Sequence, residues 1–177
     1  MPCPPDVPWT LYDYVRFIKN ILNENSVSRC HIVAHSFGAR VAVLLAKEMP
    51  ELVDKMVITG GAGLLPRFNL WVWLKLKYNK YIKKLPGSCD YRDLTPAGKI
   101  TFNNIIRRDL AYEIGRITNP TLLITGSKDT ATPPYMAKRW AKLCLSAKYK
   151  IYKNAGHFAY LYDTARFIRD TEEFLNE

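Results

Sequence analysis

Apolar residues recur at Leu11, Tyr14, Val15, Ile18, Ile21 and Leu22, the spacing of one helix face, and predict an amphipathic helix ending near residues 23–25. Thr10 followed by Asp13 resembles an acidic version of the capping box at its start. The next apolar run, 30–35, is short and followed by small residues, which suits a buried strand, and 37–47 then reads as a helix closed before Pro50. Further short strands are predicted at 55–59, ending in Gly60, Gly61, Ala62 and Gly63, at 121–125 after Pro120, and at 148–152 before the Asn154-Ala155-Gly156 turn. Pro133 and Pro134 open a helix through about residue 145, and a last helix covers about 164–175. Short strands alternating with helices imply an α/β protein with a mostly parallel sheet of about four strands flanked by helices.

The alternation breaks from residue 64 to about 116, too long a stretch for an ordinary connection, so a helical cap insertion is expected there. Thr95-Pro96 makes a helix start within it, leading toward Ile105 and Ile106. The chain then divides into 1–63 and 117–177, the two parts of the core, with 64–116 as the cap.

Charge sharpens this picture at one place. Of the net +10, six positive charges fall in 67–84, on Arg67, Lys75, Lys77, Lys80, Lys83 and Lys84, with no acidic residue among them. They are interleaved with Phe68, Trp71, Trp73, Tyr78 and Tyr81. A basic aromatic helix can lie on an anionic membrane or meet nucleic acid, but its position between the second and third strands favours a cap with solvated lysines. On that reading Trp71, Trp73 and Phe158 contact an apolar acyl or aromatic part of a substrate; weak membrane-surface contact is the secondary reading, and nucleic acid is not expected. Cys3, Cys30, Cys89 and Cys144 include no C-x-x-C pair, which points away from zinc or dithiol redox chemistry and toward reduced thiols. The first residues lack the basic start and apolar run of a secretory signal, and no apolar stretch approaches the roughly 20 residues of a membrane span, so a cytoplasmic protein is expected.

The strongest chemical signal is Ala34-His35-Ser36-Phe37-Gly38 between a predicted strand and a predicted helix. Such a sharp turn admits only small flanking residues and exposes the serine hydroxyl at the C-terminal edge of the sheet. The bland alternative is a serine at a helix N-cap. A hydroxyl needs a base within hydrogen-bond reach, and a third group to orient that base. Of the three histidines, His31 starts the first strand, at the end opposite the turn, and His35 should project away from Ser36 as structural support, which leaves His157 in the loop after the last strand. The acid candidate is Asp129, after the third strand and before a proline-started helix; its bland alternative is a turn or capping aspartate, and Asp93 and Asp109 are poorer candidates.

Ser36, Asp129 and His157 follow three different strands, and at this point the sequence resembles the α/β-hydrolase superfamily, especially its small capped esterase and carbon–carbon bond hydrolase branches. The resemblance rests on 34–40, 126–133 and Gly156-His157-Phe158, and covers nearly the whole chain from about Trp9. It implies Ser36 as nucleophile, Asp129 as orienting acid, His157 as general base and the Phe37 backbone N–H as an oxyanion donor, acting on a carboxylic ester or similar small acyl substrate without metal or organic cofactor. The related dehalogenases and epoxide hydrolases place aspartate where Ser36 stands. Family members usually have four further strands and an HG-type loop before the helix that here begins near Thr10, so a truncated α/β-hydrolase fold is expected. That loop normally supplies the second oxyanion N–H, and losing one such donor costs about 100- to 1,000-fold in kcat. The alternative function is therefore a catalytically impaired remnant or interaction protein. A sheet starting at 30–35 would also have a bare apolar edge, which Pro2, Pro4, Pro5 and Pro8 cannot readily fill, so a homo-oligomer is expected.

Overall fold

A computed structural model of the chain describes residues 7–65 and 94–177. Of these, residues 11–64 and 109–177 form one compact unit, and 7–10, 65 and 94–108 belong to a second.

The larger unit runs α1 (Leu11–Glu24), β1 (Cys30–His35), α2 (Gly38–Glu48) and β2 (Val53–Thr59), and resumes after the smaller unit. In the smaller unit lies α3 (Pro96–Ile106), whose N-terminus is capped by the Thr95 side chain accepting from the Gly98 N–H at 3.0 Å. Trp9 N–H donates to Thr101 Oγ1 at 2.8 Å within that unit. The larger unit continues with α4 (Ala111–Ile114), β3 (Thr121–Gly126), α5 (Pro134–Leu143), β4 (Ala147–Tyr152), α6 (Ala159–Tyr162) and α7 (Thr164–Asn176). The four strands pair in the order β1-β2-β3-β4, all parallel.

Burial follows from this order. Every residue of β3 is buried, as a parallel strand flanked by neighbours and helices requires. Val57, Leu122, Ile124, Tyr152 and Phe174 form a core cluster between the sheet and α7, each such apolar side chain contributing about 1.5–3 kcal/mol. α2 packs on β1 and β2, and α1 on α2. Lys55 Nζ donates to the Phe174 and Leu175 carbonyls at 3.2 and 3.0 Å, a cation placed where the C-terminus of α7 needs donors.

β1 is an edge. Cys30 N–H and Ser36 N–H donate to Leu52 and Thr59 of the β2 segment, so the alternate residues His31, Val33 and His35 turn their backbone groups outward. A groove of about 470 Å³ runs beside β1, lined by Tyr14, Ile18, Phe37 and Val41 among others, and Val33 is 57% exposed although its strand has the composition of a central one.

The structure departs from the sequence expectations in detail. The two four-residue helices α4 and α6 were not expected, being too short to show a period. β2 begins at Val53 rather than 55, because Cys30 pairs with Val53 across a register shift. α5 stops at Leu143, where Cys144 turns extended and leaves Leu145 96% exposed in the turn to β4. The basic run 67–84 lies outside the described residues, and among the described ones no helix is long and apolar enough to cross a membrane.

Candidate active site

Ser36 has φ +48°, in the left-handed region that non-glycine residues rarely adopt. Three contacts impose this turn. Ser36 N–H donates to the Thr59 carbonyl at 2.9 Å, Ala39 N–H to the Ser36 carbonyl at 3.1 Å, and Ala62 N–H to the same carbonyl at 3.2 Å. A Cβ on Gly38 would stand 3.5 Å from the Ala34 methyl, ordinary contact, so alanine fits the first small position of the turn. Phe37 follows with helical angles as the N-cap of α2, which places its N–H at the helix N-terminus beside the serine.

Asp129 and His157 come from two loops stitched to each other. Ser127 N–H donates to the Tyr152 carbonyl at 2.9 Å, Lys128 N–H to the Ala155 carbonyl at 2.9 Å, and Asn154 N–H to Ser127 Oγ at 2.8 Å. Gly126 permits this approach, since any Cβ there would overlap the carbonyls of Ala155 and Gly156. Within the first loop Asp129 Oδ1 accepts from the Ala131 and Thr132 N–H groups, each at 2.9 Å, and Oδ2 accepts from Thr132 Oγ1 at 2.8 Å.

These supports bring the three sequence candidates together. His157 Nδ1 lies 2.9 Å from Asp129 Oδ2, and His157 Nε2 lies 3.0 Å from Ser36 Oγ. Asp129 is buried, and burial opposes its ionisation, yet the Thr132 N–H, His157 and the Thr132 hydroxyl together hold its carboxyl below the usual range. An ionised Asp129 accepts the Nδ1–H of His157, an assignment that leaves the Nε2 lone pair facing Ser36.

His31, at the far end of β1, faces Asp54 at 3.6 Å. His35 does more than support the turn. Its Nδ1 is 2.9 Å from Thr59 Oγ1, and its ring packs 4.7 Å from that of His157, with Phe158 and Tyr160 each at 5.1 Å. Asp109 accepts from the Ala111 N–H at 3.0 Å and faces Arg139 at 3.9 Å, a helix-starting role. Phe158 is 53% exposed with its ring 5.4 Å from that of His157, whereas Trp71, Trp73 and Asp93 lie outside the described residues. Sequence reasoning missed Thr132, although a threonine three residues after an aspartate in a tight turn is a recognisable hydrogen-bonding pattern.

A family model described as the alpha/beta hydrolase fold matches residues 2–90 and 101–164. The chain belongs to the α/β-hydrolase family. Among relatives of this chain are two 2-hydroxy-6-oxononadienedioate/2-hydroxy-6-oxononatrienedioate hydrolases. That of Pseudomonas sp is 23% identical, over 82% of this chain and 62% of its own length. That of Cupriavidus pinatubonensis is 26% identical, over 90% and 66%. An uncharacterized protein of Mycobacterium tuberculosis is 21% identical over 97% of this chain and 63% of its own length, so the chain spans under two thirds of such relatives. The fold matches a meta-cleavage product hydrolase from Pseudomonas fluorescens IP01 with TM-score 0.74 at 21% identity, covering 98% of this chain and 74% of that one.

Proposed function

We propose that this hydrolase cleaves a carboxylic ester or similar small acyl substrate through an acyl-enzyme. Ser36 is the nucleophile, His157 the general base and Asp129 the orienting acid. The observation that carries this reading is the continuous relay of 3.0 Å from Ser36 Oγ to His157 Nε2 and 2.9 Å from His157 Nδ1 to Asp129 Oδ2. The kinship to named hydrolases supports the reaction class.

In acylation Ser36 Oγ attacks the carbonyl carbon as its proton passes to His157 Nε2, and the carbonyl oxygen gains the charge. Asp129 stabilises the resulting imidazolium without taking a proton. The tetrahedral oxyanion is met by the Phe37 N–H at the start of α2. The imidazolium then protonates the leaving alkoxide as the C–O bond breaks, and water, deprotonated by His157, releases the acid and restores Ser36.

Labelling with a fluorophosphonate tests this without knowledge of the substrate. Wild type should label, Ser36→Ala should not, and His157→Ala should label far more slowly. Persistent labelling of Ser36→Ala would overturn the nucleophile assignment. A folded wild type that does not label would favour a non-catalytic interaction protein.

A further inference from the structure

We propose that Thr132 is a positioning residue whose hydroxyl sets how strongly Asp129 holds the Nδ1–H of His157. The proposal rests on the reading of this site as a serine hydrolase and adds a residue to it.

The two oxygens of Asp129 are used differently. Oδ1 is engaged by the backbone N–H groups of Ala131 and Thr132 at 2.9 Å, which fix the plane of the carboxylate. Oδ2 is shared by the Thr132 hydroxyl at 2.8 Å and His157 Nδ1 at 2.9 Å. The same hydroxyl oxygen stands 3.4 Å from His157 Nδ1. A hydroxyl that donates to Oδ2 draws charge from the oxygen on which the imidazole depends, so it moderates the pull on the Nδ1–H.

Thr132 is held in this post. It is buried, its carbonyl accepts from Thr125 Oγ1 at 3.3 Å, and Pro133 follows it at the start of α5. Among the described residues, the other ionisable group packed on the His157 ring is His35, from the end of β1; Ser36 offers its hydroxyl and the end of β2 the Gly60 backbone. Thr132 changes no covalent bond. As His157 takes the Ser36 proton on Nε2, the hydroxyl tunes the charge of the carboxylate that the imidazolium faces.

Thr132→Val removes the donor at similar volume, and Thr132→Ser restores it. The readouts are the pH dependence of fluorophosphonate labelling and the proton resonance of His157 Nδ1–H in the resting protein. With the hydroxyl gone, Oδ2 is more basic and favours the imidazolium, so the acid limb of labelling should move up by roughly 0.5–1 pH unit, a loss of about 3- to 10-fold at a pH on the limb. The Nδ1 proton should shift downfield, and Thr132→Ser should return both readouts toward wild type. A Thr132→Val profile and resonance that superimpose on wild type would overturn the proposal. So would equal losses at every pH in both variants without movement of the limb, the mark of a merely structural residue. If wild type does not label yet the resonance moves in Thr132→Val and returns in Thr132→Ser, the hydrolase reading fails and the role of Thr132 toward His157 stands.

Discussion

The imidazole rings of His35 and His157 lie 4.7 Å apart, centroid to centroid, tilted by 54°. Burial and the nearby His157 hold His35 below the ordinary imidazole value of 6.5, against opposing contributions from Thr59 and Asp129. The unfolded chain therefore takes up this proton before the folded one does. The stability associated with a neutral His35 is fully present above about pH 6.5 and is lost as pH falls through the lowered folded value. Thermal unfolding measured between about pH 7.5 and pH 5 should show a steeper acid decline of Tm in wild type than in His35→Phe. Parallel declines would show that His35 is not the group responsible.

Asp129→Asn should keep the fold and strongly reduce activity. An amide can still accept the Ala131 and Thr132 N–H groups through its oxygen, but it carries no charge to oppose an imidazolium and can favour the wrong His157 tautomer. The labelling rate should fall on the order of 1,000-fold or more, with circular dichroism unchanged. An unaffected rate would require another acid. Asp109 already accepts the Ala111 N–H and faces Arg139.

Much of this was legible in the sequence because the signals are local. Ala34-His35-Ser36-Phe37-Gly38 carries its own turn chemistry, and short apolar runs bounded by glycine and proline mark the strands whatever their neighbours. What could not be read depends on contacts between segments distant in the chain. The sequence shows Thr59 as a strand end, and only the β1–β2 register, which pairs His35 with Thr59, makes its hydroxyl a partner for His35. Likewise Gly60 reads as a terminator after β2, while its function follows from a loop nearly 100 residues later laying His157 against it. α6 was illegible for another reason, since four residues cannot display a helical period.

The contact between β4 and α7 should be worth more as a network than as separate bonds. Tyr152 OH donates to Asp170 Oδ2 at 2.8 Å, and Lys150 Nζ reaches Oδ1 at 3.0 Å. Burial works against the charge of Asp170, but the Tyr152 and Lys150 bonds hold its carboxyl below the usual range. Tyr152→Phe should cost about 1–2 kcal/mol and Asp170→Asn about 2–3 kcal/mol in urea unfolding. The double variant should cost less than their sum, because each removes the other's partner. Strict additivity would show that the hydroxyl and carboxylate are energetically independent.

Gly60 and its neighbour Gly61 should separate catalysis from stability. Gly60 has φ +52°, and a Cβ there would stand 2.9 Å from His157 Cε1 and 3.0 Å from Nδ1. Gly60→Ala therefore meets two penalties: a left-handed backbone costing about 1 kcal/mol for a residue with a side chain, and a methyl driven into the His157 ring. The methyl would press on the His157 ring and, at 3.2 Å, on its carbonyl oxygen, and displacement of the ring by even a fraction of an ångström lengthens the 3.0 Å contact to Ser36. Misplacement of about 1 Å can cost on the order of 100-fold in rate, so labelling of Gly60→Ala should fall at least tenfold with a modest loss of Tm. At Gly61 a Cβ would instead meet Ile58 Cγ2 at 2.7 Å and the Trp140 ring at 3.2 Å, both in the packed interior. Gly61→Ala should thus lower Tm more than Gly60→Ala while leaving the labelling rate of the folded fraction closer to wild type. Labelling and thermal unfolding measured on both variants decide the matter. If Gly60→Ala labels at the wild-type rate, the end of β2 does not set the position of His157, and the stitched loops after β3 and β4 must hold the ring by themselves.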